Sequence, residues 1–424
     1  MAGLRENKQI DSATLVVEES KPARDFLSRW MGNKKLERSF WLFLLASCLF
    51  NTGMFIYVLL YNLYLLDIGY KEDFLGMMSG FSTAGSIAGT FGSIILTRRI
   101  GLQRSVVVCL VCTATLAVLR SLVVSEAALL GLSALSGAFF ALWAISITVI
   151  IAQTTTSSSR PFGFSVYLAT VIGIGILADP LGGHLPIWIG NLFNNANAAE
   201  NKQLALIVGC IFLYLAVLPV MFMKLHGASK SERLKYPRSA FVFRFMLAVA
   251  VLNIATAAFN PFANAYFAQY LKVPVDEIGF IFSGGQVAQV VAILISPLIL
   301  KWFGLIRGIM CMELAAGISL AMLATGPPAL GAALGFAGYM AFQWMDEPAM
   351  ESLLMTKVGP DERSGASAMM YMTIFASGAI ATPSAGKGLT LLGYPTVLAV
   401  AAILLVIGGL MFGFLLKKYE RDAD

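Results

Sequence analysis

Three carboxylates stand where carboxylates are costly. Asp179 lies in GIGILADPLGG, and Asp346 and Glu347 lie in FQWMDEPAME, each inside an otherwise apolar stretch. An ionised group in hydrocarbon costs at least about 2.5 kcal/mol on insertion scales, so each is a functional candidate by default. The chemistry open to it is the binding and release of a proton, or the attraction of a cation. For Asp179 a proton carrier competes with a structural group, either paired with Arg120 at similar depth or capping a helix break at Pro180. Asp346 and Glu347 are about 100° apart around a helix, so at least one must face a cavity or a neighbouring helix. Proton coupling or a cationic substrate competes there with an ion pair to Arg98 or Arg104.

A second set is polar and neutral. Asn51, Tyr57 and Tyr61 in one apolar run and Asn253 and Asn260 in another, with Trp143, Gln286 and Gln343 elsewhere, can line a cavity for polar groups. The competing role is hydrogen bonding between helices, worth about 0.6 kcal/mol on average in membranes. Nothing points to catalysis: the chain has no HExxH, GxSxG or P-loop pattern. Gly173, Gly175 and Ala178 match a dinucleotide fingerprint, but no strand precedes them. Cys109 and Cys112 have CxxC spacing without a second pair or a nearby histidine, which argues against zinc and disulfide. No catalytic residue, no metal and no cofactor is expected.

The elements that must position these residues are apolar helices. The chain is 58% hydrophobic and 13% charged with a mean hydropathy of +0.77, against roughly 25% charged in soluble proteins. Runs bounded by charge, Gly and Pro predict spans near 39–66, 73–96, 105–124, 126–153, 162–188 and 204–224, then 240–270, 276–300, 305–325, 328–355, 365–388 and 394–416. The predicted fold is an all-α membrane protein of twelve transmembrane helices. A basic tail (1–38) precedes a six-helix half (39–225), a charged linker (226–239), a second six-helix half (240–416) and a short tail (417–424). With the N-terminus inside, 25 Lys and Arg fall on one side and 3 on the other. That bias predicts cytoplasmic termini, and it explains the net charge of +6 without nucleic acid.

The halves repeat. A shift of 203 residues places Asp73 on Asp276, Arg98 on Lys301, Gly101 on Gly304, Arg104 on Arg307, Arg160 on Arg363, Pro180 on Pro383 and Gly183 on Gly386, without a gap. The segment IILTRRIGLQR keeps Arg99 and Gly101 of a known pattern, Gly-x-x-x-Asp-Arg/Lys-x-Gly-Arg/Lys-Arg/Lys, with Lys301, Gly304 and Arg307 as its second copy. On these residues the chain resembles the major facilitator superfamily. The resemblance implies two pseudo-symmetric halves around a central substrate site and a cytoplasmic gate of Arg98, Arg99, Gly101, Arg104, Lys301, Gly304, Arg307 and Arg363. Arg98 stands where the family has a carboxylate, so Glu351, Asp361 or Glu362 is expected to partner it. The segment around Asp179 also resembles the antiporter-associated pattern Gly-x-x-x-Gly-Pro-x-x-Gly-Gly, with Asp179 in place of the second Gly.

The implied function is secondary transport of a small molecule by alternating access in the cytoplasmic (inner) membrane, with protons and lipid as partners and a monomer as the working unit. Proton-coupled export of a lipophilic or amphipathic compound is preferred. The alternatives are proton-coupled uptake of a small polar nutrient and a non-transporting receptor.

Overall fold

The computed structural model describes residues 36–156, 159–225 and 235–419. The basic tail before residue 36 and the first nine residues of the charged linker lie outside the described residues. Among the described residues there is no strand.

The first six helices are α1 (Arg38–Asp67), α2 (Glu72–Ile100), α3 (Leu102–Leu122), α4 (Glu126–Thr154), α5 (Arg160–Phe193) and α6 (Ala198–Met221). Then come α7 (Ala240–Tyr270), α8 (Val275–Phe303), α9 (Leu305–Ala324) and α10 (Ala329–Met345, resuming at Glu347–Lys357). The run Arg363–Leu416 turns at Gly393 (φ 79°), which divides it into α11 (363–392) and α12 (394–416). Among the described residues nine stretches are long and apolar enough to cross a membrane, the last containing both α11 and α12. With α2 and α10 this fits twelve crossings in two sixes, and the protein is a multi-pass membrane protein.

The composition of α2 has a packing cause. Gly85, Gly89 and Gly137 bring α2 against α4 so closely that a Cβ on Gly85 would meet Ala134 O at 1.8 Å, and one on Gly137 would meet Ser82 O at 1.8 Å. Ser86 Oγ donates to Gly137 O at 3.1 Å. Small residues thus replace apolar bulk at a helix contact, which is how spans associate where water supplies no drive.

Backbone devices recur in both halves. Gly101 joins α2 to α3 at φ 86°, ψ 159°, and Gly304 joins α8 to α9 at φ 81°, ψ 168°, a region essentially closed to side chains. Arg160 donates to Ala152 O at 3.3 Å and Arg363 to Met355 O at 3.1 Å, so each arginine tethers the preceding helix end in the same register.

The halves meet toward the face opposite the termini, here the distal face. There Asn62 Nδ2 donates to Pro261 O at 2.7 Å, Asn264 Nδ2 to Leu59 O at 2.9 Å and the Asp73 amide to Thr390 Oγ1 at 3.1 Å. Among the described residues, the hydrogen bonds that cross between halves lie between mid-depth and this face. The terminal ends of α2 and α8 carry exposed Arg98, Arg99 and Lys301 instead.

Candidate functional site

A cavity of about 320 Å³ lies between the halves. Tyr57 and Tyr61 of α1 enter it, held by their hydroxyls, which donate to Ala117 O at 3.1 Å and Arg120 O at 3.3 Å. Arg120 of α3 lies against them, its guanidinium 4.4 Å from the Tyr61 ring centre. Asn260, Pro261 and Asn264 of α7 form the facing wall. They are available because α7 does not stay α-helical: Ala240–Ala257 gives way to a 3₁₀ turn at Asn260–Phe262 and a π turn at Tyr266–Tyr270. Pro261 lacks the amide that would continue the ladder.

A second cavity, about 220 Å³, lies within the C-terminal half and is lined by Asn253, Asn260, Glu313, Gln343 and Glu347 among others. Two carboxyls face each other here, Glu313 of α9 on the cavity wall and Asp346 behind it at the break in α10. They are 3% and 0% exposed, and within reach of a mutual hydrogen bond. Both oxygens of Asp346 and Oε2 of Glu313 have no donor. The charged groups acting on Asp346 are carboxylates, Glu313 first and Glu347 after it. Tyr339 of α10 stands beside Glu313 and donates its hydroxyl to Asn260 Oδ1 at 2.7 Å, so one phenol separates the acid pair from a residue that borders both cavities. On the α12 side the glycine backbone makes room, since a Cβ on Gly409 would stand 3.0 Å from Glu313 Cβ.

Of the sequence-derived candidates, Tyr57, Tyr61 and Asn260 line the first cavity, and Asn253, Asn260, Gln343 and Glu347 the second. The others are placed differently. Asn51 turns back onto its own helix and donates to Ser47 O at 2.8 Å. Trp143 is core, 2% exposed and 4.7 Å from the Phe50 ring. Asn253 is also a tie, donating to Ile374 O at 2.7 Å and Ser377 Oγ at 2.9 Å of α11.

Asp179 does not pair with Arg120 and does not cap a break. It accepts from Gln286 Nε2 of α8 at 2.5 Å inside the contact between halves, and α5 runs on through Pro180. The carbonyl that Pro180 strips of its helical donor, Ile176 O, takes the Ser283 hydroxyl of α8 at 2.8 Å instead. Gly175 admits Gln286, whose Oε1 would stand 1.9 Å from a Cβ there.

Asp346 makes no ion pair with Arg98 or Arg104, both of which are exposed. Nor do the expected partners reach Arg98. Asp361 binds Lys235 at 2.8 Å, which holds its carboxyl below the usual carboxylate range, and Glu351 accepts weakly from Tyr371 at 3.4 Å. Glu313 is the residue sequence reasoning passed over. It is the one acidic residue within 305–325, so the rule applied to Asp179 would have found it. Among the described residues no three ligating side chains gather as a metal site would require.

Two family models match the chain, one described as Major Facilitator Superfamily over residues 245–424 and one as MFS_1 like family over residues 4–185. Among solved structures, the nucleoside transporter NupG superposes with a TM-score of 0.71 at 15% identity, over 90% of this chain and 100% of that one. A bacterial homologue of the iron transporter ferroportin in an inward-facing state gives 0.71 at 15% identity, over 90% and 99%. A D-xylose-proton symporter gives 0.69 at 13% identity, over 88% and 96%. No curated protein matches the chain.

Proposed function

Because the chain belongs to the major facilitator superfamily, a family of transporters and not of enzymes, we propose that it is a proton-coupled secondary transporter of a small molecule, with Glu313 and Asp346 as its proton-binding pair. The observation that carries this is the pair itself. Two facing buried carboxyls, three of whose four oxygens have no donor among the described residues, cannot both hold charge in a low dielectric, whereas a single proton shared between them joins them by a hydrogen bond. Glu347 on the cavity wall supplies a route for that proton to water.

The 25 to 3 bias of basic residues supports cytoplasmic termini in the inner membrane. With the halves joined at the distal face, this state then opens inward, poised to load from the cytoplasm. The aromatic and aliphatic cavity walls favour export of an amphipathic compound. Asp179, locked to Gln286, acts in this reading as part of the distal closure that must part when the site opens outward.

The test is transport in proteoliposomes under an imposed pH gradient, with the chain oriented by its labelled termini. Asp346→Asn and Glu313→Gln should each abolish gradient-driven flux while monodisperse protein remains in the membrane. A double variant that transports normally would leave the pair a structural feature. Export is overturned if an inward proton gradient drives accumulation from the outside.

A further inference from the structure

We infer that the central cavity is built for an organic anion with an apolar body, its acid group held by Arg120. The inference rests on the transport reading and names its substrate class. Arg120 is a permanent cation in the last turn of α3, half-buried with its Nε enclosed, and a guanidinium so placed normally has a carboxylate beside it. None is there. Among the described residues, the groups acting on it electrostatically are the phenols of Tyr61 and Tyr57. Asp179, the acid at similar depth, is taken by Gln286 at 2.5 Å, and Asp67 of the same half by Lys202 at 2.5 Å.

The tyrosines cannot serve as the counter-charge because a phenol is neutral: their hydroxyls donate to the backbone oxygens of Ala117 and Arg120 itself, and the Tyr61 oxygen can accept from the guanidinium without cancelling its charge. They offer ring faces, which hold a guanidinium in orientation without neutralising it. Its Nε has no acceptor. Two further hydroxyls on the same cavity are also buried: Ser136 Oγ has no partner among the described residues, and Thr113 Oγ1, on a residue only 6% exposed, has only the weakly bonding thiol of Cys109 in reach.

A guanidinium and two hydroxyls on the wall of one cavity are complementary to a carboxylate, phosphonate or sulfonate, since such a group carries negative charge and is made of acceptors only. They are mismatched to an amine. Met54, Val58, Phe140 and Phe282 line the same cavity with apolar surface, and about 320 Å³ suits one small molecule. The acid head and the apolar body of the substrate follow from these two kinds of lining.

The experiment uses the full chain in phosphatidylcholine nanodiscs and measures binding calorimetrically, with no gradient present. The probes are phenylbutyrate and a panel of aliphatic and aromatic monocarboxylates, each against its matched alcohol and amine. The best acid should bind at least about ten-fold more tightly than its alcohol, the change expected from a charged hydrogen bond. Arg120→Gln should erase that preference and Arg120→Lys should keep part of it. Thr113→Val and Ser136→Ala, which keep the cation and the fold, should each weaken the acid a few-fold and leave the alcohol unchanged. The proposal is overturned if the alcohol or amine binds as well as the acid, if no acid of the panel binds, or if the preference survives Arg120→Gln. Displacement of phenylbutyrate by added phosphatidylglycerol would assign the site to a lipid head group and overturn it as well. Since binding needs no proton gradient, loss of coupling in the liposome assay sinks the proton reading and leaves this result standing.

Discussion

The two halves share a backbone and divide the charge. Gly101 and Gly304 take the same conformation at the same corner, and Arg160 and Arg363 tether equivalent carbonyls. At the same spacing of 203 residues the side chains part company. Glu313 falls on Leu110 and Asp346 on Trp143, both packed in the N-terminal core, while Arg120 falls on Leu323, buried in the C-terminal core. Every half needs its corners to fold, so the corners recur. A charge in hydrocarbon is needed once. Arg120 and the Glu313–Asp346 pair, set in opposite halves, each keep their valence for something that binds, while Asp179, the acid in the half of Arg120, is held by Gln286 instead.

Breaking the asymmetry should cost most where a charge enters a core that has no use for it. Leu110→Glu puts an acid in the N-terminal half at the place of Glu313 without a second carboxyl to share its proton, and should destabilise the protein by at least about 2.5 kcal/mol. Thermal unfolding in detergent reads this, and a melting curve like that of the parent protein would show that the halves differ in sequence only.

Close packing is the next difference. Gly137→Val forces a methyl group into Ser82 O between α2 and α4 and should cost about 1–3 kcal/mol, whereas Met340→Leu at the equivalent place in α10 should cost under about 1.5 kcal/mol. Equal losses in the same unfolding assay would remove the distinction.

The smallest effect belongs to the exposed Lys235–Asp361 pair, a link from the charged linker to the C-terminal half. Lys235 holds the Asp361 carboxyl below the usual carboxylate range. Its contribution is therefore present above that range and lost as pH falls through the lowered value. Asp361→Asn should leave the melting temperature unchanged at physiological salt, because solvent screens such a pair. A large drop at neutral pH would make the pair a clasp rather than a surface contact.

The spans, the repeat and the presence of acids in α10 were legible in the sequence, because hydrocarbon length and the cost of charge act locally. Which way a side chain faces was not. These helices are apolar around most of their circumference, so no stripe separates lipid from core or cavity. Trp143 and Asn51 therefore read as cavity residues although one packs against Phe50 and the other bonds its own helix. Partner choice was equally hidden. Depth alone matched Asp179 to Arg120, whereas Gly175 and Gln286 give the carboxylate a nearer partner across the interface between halves. Glu313 needed no structure to be noticed, but its meaning did, since only the break at Asp346 sets the two acids face to face.

Asn260 borders both cavities and receives the hydroxyl of Tyr339, which stands beside Glu313. If the acid pair binds the coupled proton as proposed, that proton and a substrate in the central cavity share a wall, and any influence between them is reciprocal. Whatever factor one proton adds to the affinity for substrate, bound substrate must add to the affinity for the proton. A titration of substrate affinity against pH measures that factor directly, and a flat titration would mean that the two sites ignore each other. If the factor exceeds one, proton and substrate ride together as passengers; if it falls below one, each evicts the other. The sign of one thermodynamic coupling, carried through one asparagine, then distinguishes a symporter from an antiporter.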